Sequence, residues 1–259
     1  MVVLGSFPQE RRGQPSLLRV TESIAALGID TSTSDAAVAV LARGDVVFEG
    51  RAERADNGMP RHATSLLPLV DDAVAAAGGW DRIGVIALGL GPGTFTGLRI
   101  GIATARALAQ ARGLEIAGVS SLAALARGVE GHPGRERLAL IDARRRETFA
   151  ALYGPDGELL LEPFVAGPDE VVARVSEQAN SPLAVGDGAL RFRSELEAAG
   201  VDVPQDADPA HRMAARHICS LADGVERVRA EQAKPIYLRR PDAEIWRERQ
   251  ARDGSSEGS

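Results

Sequence analysis

Apolar positions along the chain first repeat about every second residue and then about every 3.6. Ile24 to Asp30 is an apolar run that ends in the polar turn Asp30-Thr31-Ser32-Thr33-Ser34. Ala36 to Leu41 alternates, Ala42-Arg43-Gly44-Asp45 is a turn, and Val46-Val47-Phe48 resumes the alternation. This predicts three strands joined by hairpin turns. Residues 54–61 read as a loop. From Thr64 the spacing becomes helical, with Leu66, Leu69, Val70, Ala73, Val74 and Ala77 on one face and Gly78-Gly79 as the stop. Pro68 is expected in the first turns, where a missing N–H costs least. Ile83 to Leu88 predicts a buried strand, a helix runs to about Arg112, and Ile116 to Val119 predicts another strand. Ser120 or Ser121 caps a helix through Ala126.

The second half repeats this plan after a linker at 131–134. Leu138 to Asp142 and Thr148 to Tyr153 predict strands around the turn Arg144-Arg145-Arg146-Glu147. Glu158 to Leu161 follows the turn Pro155-Asp156-Gly157. Setting Asp30 on Asp142 places Asp35 on Glu147, Val40 on Leu152 and Gly44 on Asp156, so the two halves read as lobes on one pattern. Further helices are expected near 169–177, 190–199 and 210–221, with a strand at Leu183–Val185. The division expected is a flexible leader over 1–23, a first lobe over 24–120, a second lobe over 121–244 whose last helix returns towards the first, and a disordered tail over 245–259.

With 259 residues, 44% hydrophobic and 25% charged, the chain can bury a core without disulfides. Its single cysteine, Cys219, excludes an internal disulfide framework and reads as a small buried apolar residue. The net charge of −6 argues against a surface that coats nucleic acid, and 4% aromatic residues leave stacking surfaces scarce. No apolar stretch is long enough for a membrane span and no signal peptide is legible, so a cytoplasmic protein is expected.

Four features carry candidate chemistry. Gly89-Leu90-Gly91-Pro92-Gly93-Thr94-Phe95-Thr96-Gly97 lies between strand and helix. Such a loop either cradles a phosphate or permits a tight turn and close packing. It lacks the glycine spacing of a dinucleotide fingerprint and the lysine of a P-loop. Gly97, Gly101 and Ala105 form a small-residue stripe, flanked by Leu98, for close approach of a helix from the same lobe or from another chain. Asp30, with Thr31 and Ser32, reads equally as a nucleotide- or Mg²⁺-holding hairpin or as an Asx turn, whereas Asp142 beside three arginines favours the turn. Arg144-Arg145-Arg146 either touches RNA phosphate or is simply solvated. His62, His132, His211 and His217 have no metal-ligand spacing, so no metal site is expected.

Taken together, Ile29-Asp30-Thr31-Ser32, the run GLGPGTFTGLRIG over 89–101, Val119-Ser120-Ser121-Leu122, Ile141-Asp142-Ala143-Arg144-Arg145 and Pro235-Ile236-Tyr237-Leu238-Arg239 resemble the TsaB family. That is the Gcp-like dimerisation subunit of the bacterial tRNA threonylcarbamoyladenosine machinery. The resemblance spans about Ile24 to Glu244. It implies an α/β actin-like ATPase (ASKHA) fold of two ribonuclease-H-like lobes, with mixed sheets flanked by helices. It also implies a non-catalytic subunit required for N6-threonylcarbamoyladenosine at position 37 of ANN-reading tRNAs. Such a subunit pairs with a TsaD-type transferase and helps recruit a TsaE-type ATPase. It has no catalytic residue of its own, ATP and metal belonging to those partners, and reaches tRNA through the complex. A homodimer through the same surface is expected when the transferase is absent. The implied partner contacts are Leu66, Val70, Val74, Gly97, Leu98, Gly101 and Ala105, and Asp30, Thr31 and Ser32 would be a vestigial nucleotide site. His62, alone near the helix where the transferase carries a histidine pair, agrees with a non-catalytic paralogue. A stand-alone ATP-dependent or glycoprotease-like enzyme of the same fold is the competing class.

Overall fold

A computed structural model describes residues 24–52, 62–130, 132–179 and 181–239. The expected leader, tail and 54–61 loop lie outside these residues. The first half runs β1 (Ala25–Asp30), β2 (Ala36–Ala42), β3 (Asp45–Ala52), α1 (His62–Ala76), β4 (Ile83–Gly89), α2 (Phe95–Arg112), β5 (Glu115–Val119) and α3 (Ser121–Arg127). The second runs β6 (Arg137–Arg144), β7 (Glu147–Tyr153), β8 (Leu159–Ala166), α4 (Pro168–Ser176), β9 (Leu183–Val185), α5 (Asp187–Arg191), α6 (Arg193–Ala198), α7 (Ala215–Ala222) and β10 (Arg227–Val228).

The strands form a six-stranded sheet, β10-β5-β4-β1-β2-β3, and a four-stranded sheet, β8-β7-β6-β9. In each, an antiparallel meander leads through a helix to a strand parallel to its first: β4 beside β1, and β9 beside β6. An isolated parallel bridge between Leu183 and Asp202 stands where a fifth strand would extend the second sheet.

Strand alternation sorts the side chains into three apolar cores. Leu27, Ile29, Val38 and Val40 face α1 and α2, meeting Leu66, Val70, Leu98 and Ile102. Leu138, Leu140, Ala150 and Leu152 face away from the first sheet and meet Val171, Val175, Phe192 and Leu196. Between the sheets, Ala37, Ala39, Ile141, Phe149 and Ala151 enclose Leu122 and Leu125 of α3 and Ile218 and Cys219 of α7. The molecule is therefore five layers deep, helix–sheet–helix–sheet–helix.

The first sheet's inner face is built from small residues so that α7 can approach it. A methyl group at Gly28 would sit 2.5 Å from Cys219 Sγ and 2.7 Å from the Ala215 carbonyl oxygen. Cys219 is buried there as expected, and burial pushes its thiol pKa up to about 12.

Several elements differ from the sequence reading. The first helix starts at His62, so Pro68 lies inside it rather than in its opening turns. β8 runs on through Pro163 to Ala166 because an edge strand tolerates a missing donor. The helix expected at 190–199 breaks at Phe192, whose ring is buried in the outer core. The helix expected at 210–221 is a short Pro209–His211 turn followed by α7. His211 fixes that turn, its ring nitrogens lying 3.3 Å from Gly186 O and 3.1 Å from Pro204 O. β10 was not legible at all.

The duplicated pattern is also not in strict phase. Asp30 pairs with Ala37, but Asp142 pairs with Thr148, one residue tighter. A bulge between Asp142 and Arg144 takes up the difference. No helix among the described residues is long and apolar enough to cross a membrane.

Gly28→Val drives a branched side chain into the α7 backbone. The expected cost is about 3 kcal/mol, seen as a fall of roughly 6–12 °C in thermal midpoint. An unchanged midpoint contradicts this packing.

Candidate functional site

Asp30 ends β1 and is completely buried. Its Oδ1 accepts from the Ser32 N–H at 2.8 Å and the Ser32 hydroxyl at 2.6 Å, and its Oδ2 accepts from the Ser121 hydroxyl at 2.6 Å. Ser121 opens α3, so the carboxylate joins the first hairpin to the helix leading into the second half. Burial raises the Asp30 pKa, while the donors from Ser121 and Ser32 work against that rise. The Asx turn, one of the two readings open at Asp30, is present, closed by a serine that was expected only as an alternative helix cap. The cap itself is Ser120, whose hydroxyl accepts from Ala123 N–H at 3.4 Å.

The glycine loop seals this carboxylate from outside. A side chain at Gly89 would overlap Asp30 Oδ2, and one at Gly93 would overlap the backbone of Ser32. Thr94 N–H donates to Ser32 O at 2.7 Å, Ser121 N–H to Gly91 O at 2.9 Å, and Leu90 N–H to Val119 O at 2.9 Å. Gly91 has φ of 96°, and Gly91–Pro92 is cis. Of the two readings open for this loop, tight turn and close packing is the one realised. Asp30, Thr31 and Ser32 are 0%, 1% and 0% exposed, packed on all sides by protein.

The small-residue stripe is likewise used within the chain. Thr31 hydroxyl donates to Gly97 O at 2.7 Å, and a side chain at Gly97 or Gly101 would overlap Thr31. Ala105, Leu98, Leu66, Val70 and Val74 are buried in the core between the first sheet and its outer helices. The seven residues expected to meet a partner are thus corrected to core residues, and Gly101 is a contact to Thr31. His62 is buried near Gly97, its Cε1 3.2 Å from where a side chain there would begin.

In the second half Asp142 is held from two sides. Arg191 Nη1 reaches its oxygens at 2.6 and 2.8 Å, and Arg144 donates to it from its backbone at 2.9 Å and its side chain at 3.3 Å. The Asx turn expected at Asp142 is present. The Asp142 N–H donates to Asp187 Oδ1 at 2.9 Å. Burial, aided by the nearby Asp142 charge, pushes the Asp187 pKa up to about 6. Asp187 and Arg191 were missed in the sequence, although Gly186-Asp187-Gly188 after β9 echoes the glycine turn after β4. Arg144, Arg145 and Arg146 have φ of 65°, 50° and 61°, a left-handed run that costs about 1–2 kcal/mol per residue.

Burial depresses the His217 pKa to about 4. His211 is committed to two carbonyl groups. Among the described residues no group of three or more His, Cys, Asp or Glu is arranged to hold a metal.

Paired sheets of this topology around a shared helical layer, with an aspartate at or near the end of the first strand of each, define the actin-like ATPase fold class. Comparisons place the chain within it. Residues 57–187 match the family model described as "TsaD: tRNA N6-adenosine threonylcarbamoyltransferase". The Escherichia coli K12 "tRNA threonylcarbamoyladenosine biosynthesis protein TsaB" is 32% identical over 228 residues, covering 82% of this chain and 94% of its own length. Mycobacterium tuberculosis protein Rv3421c is 35% identical over 218 residues, covering 84% and 92%. The solved structure of YeaZ from Pseudomonas aeruginosa shares 33% identity with a TM-score of 0.69, covering 83% of this chain and all of that one. A second Pseudomonas structure, described as similar to the peptidase YEAZ, shares 32% with a TM-score of 0.68. The chain belongs to the TsaB family.

Two outcomes follow from this geometry. Gly101→Leu must displace Thr31, so the isolated protein loses at least ~2 kcal/mol and its midpoint falls by about 4–8 °C; wild-type melting would place Gly101 outside the core. Asp187 is protonated more readily when folded than when unfolded. Its penalty is absent below the unfolded pKa, grows as pH rises from about 4, and is complete above about 6. Asp187→Asn should therefore gain on wild type by on the order of 2 kcal/mol between pH 4 and 7 in denaturant titrations. A pH-independent difference contradicts the buried carboxylic acid.

Proposed function

We propose that this protein is a cytoplasmic, non-catalytic subunit required for N6-threonylcarbamoyladenosine formation at position 37 of ANN-reading tRNAs. It pairs with a TsaD-type transferase and helps recruit a TsaE-type ATPase, and ATP and metal reside in those subunits. The observation that carries the reading is the sealed Asp30: the place where this fold class presents a carboxylate to a nucleotide is packed with Ser121, Ser32 and the glycine loop. The names of the E. coli and other TsaB relatives support the biosynthetic assignment. A serine or cysteine peptidase mechanism at Ser121 or Cys219 would need an accessible nucleophile, and both are buried.

Pairing uses the outward faces of α1 and α2. Ala63 and Leu67 on α1, and Ala103, Ala107 and Ala111 on α2, recur every fourth residue and are exposed. Leu67 is 50% exposed. Small side chains around one leucine let a second helix pair come close and still bury apolar area. The same faces would support a homodimer when the transferase is absent.

Introducing charge there with Leu67→Glu and Ala103→Glu should move the midpoint by no more than about 2 °C. The variant should fail to co-purify with the transferase and fail to restore threonylcarbamoyladenosine in a strain depleted of this protein. Normal modification in the depleted strain contradicts the function, and wild-type pairing by the variant contradicts the surface.

A further inference from the structure

Residues 233–239 strap the two halves together. Ala233 is buried beside α2, the Ile236 N–H donates to Leu90 O at 2.8 Å, and Leu238 packs on the central core. Arg239 donates to Ala143 O at 3.0 Å and pairs with Glu147. Tyr237 stays 41% exposed, its ring centroid 5.5 Å from that of Phe95, which is 36% exposed. The Arg99 guanidinium lies 3.8 Å over the Phe95 ring. Two residues past Tyr237, the strap is fastened to the base of the hairpin that displays Arg144, Arg145 and Arg146, all exposed. An aromatic pair and an arginine hairpin, far apart in sequence, thus lie at neighbouring points of one surface.

We propose that this surface binds single-stranded RNA directly, with bases stacking on Tyr237 and Phe95 and backbone phosphates meeting Arg144–Arg146. The proposal rests on the reading of the protein as part of tRNA-modifying machinery and names the contact the chain itself contributes. Unstacked bases in RNA loops are recognised by aromatic rings and guanidinium planes, and arginine forks match phosphate oxygens. Arg144 and Arg146 are available for exchange. Arg146 reaches Glu195 only at 3.5 Å, with side-chain exposures of 76% and 36%, and such surface pairs are weak. Arg144 shares Asp142 with Arg191, which holds it at closer range. In and against the hairpin, Arg144, Arg145, Arg146, Arg191 and Arg239 face Asp142, Glu147, Glu195 and the largely buried Asp187. The reading of the protein as part of tRNA-modifying machinery is what favours RNA over an acidic protein as the occupant of this surface.

The test is fluorescence anisotropy of the full chain with a labelled stem–loop RNA and with a blunt RNA duplex of the same composition, over a range of salt. The stem–loop should bind at least about fivefold tighter than the duplex. Arg145→Gln with Arg146→Gln should weaken it roughly tenfold or more and lower the salt slope by about 2. Tyr237→Ala should weaken it about tenfold and leave the duplex unaffected, while Tyr237→Phe, which keeps the ring and the strap packing, retains binding. Co-purification with the transferase is measured on the same variants. Lost RNA affinity with intact pairing supports the proposal. It is overturned by no wild-type RNA binding, by glutamine variants that bind like wild type, by Tyr237→Ala weakening loop and duplex alike, or by variants that lose the transferase and keep RNA. Failure of RNA binding while pairing and cellular modification persist removes this inference and leaves the functional reading standing.

Discussion

Three hydrogen bonds onto one buried carboxylate organise the first half of this protein and tie it to the second. Asp30 takes Ser32 from its own turn and Ser121 from the start of α3. A buried carboxylate is tolerated only when donors surround it. The glycine loop must therefore pass close by without side chains of its own, and Gly89 and Gly93 meet that demand. Within α2 itself, Gly97 and Gly101 let the helix close on Thr31. The density of glycine between β4 and α2 is a consequence of what lies beneath it rather than of what binds above it.

That constraint reassigns the molecule's surfaces. Residues that would admit a partner helix are consumed inside the chain, so an interface on α1 and α2 must use the opposite faces, where alanines and Leu67 are exposed. The second half treats its own strand-end aspartate differently. Asp142 is only partly covered and is held by Arg191 and Arg144, with Arg145 and Arg146 exposed at the hairpin tip beside it. One half has closed the fold's cleft with serine and glycine, and the other has filled it with guanidinium groups.

Much of this was legible in the sequence and some was not, for identifiable reasons. Period-two and period-3.6 patterns located the strands of both meanders and α1 to α4, because each buries one face against a neighbour. The polar runs that end the apolar strand patterns located the turns at Asp30 and Asp142. The direction in which a small-residue stripe packs was not legible, since Gly97 and Gly101 have the same spacing whether they face Thr31 or another chain. The one-residue slip between the halves depended on a bulge at Asp142–Arg144 that no propensity signals. Phe95 and Tyr237 come together only through the strap that returns across the glycine loop. A low aromatic content says nothing about whether two of the rings meet.

The central claim is that the cleft of this fold is filled by the protein's own side chains, so that the chain serves as a partner rather than an ATP-using enzyme. Titration calorimetry of the isolated full chain with ATP and Mg²⁺ tests it most directly. The account predicts no saturable heat, and no change on adding Mg²⁺. Tight, Mg²⁺-dependent binding that is lost in Asp30→Asn would contradict it.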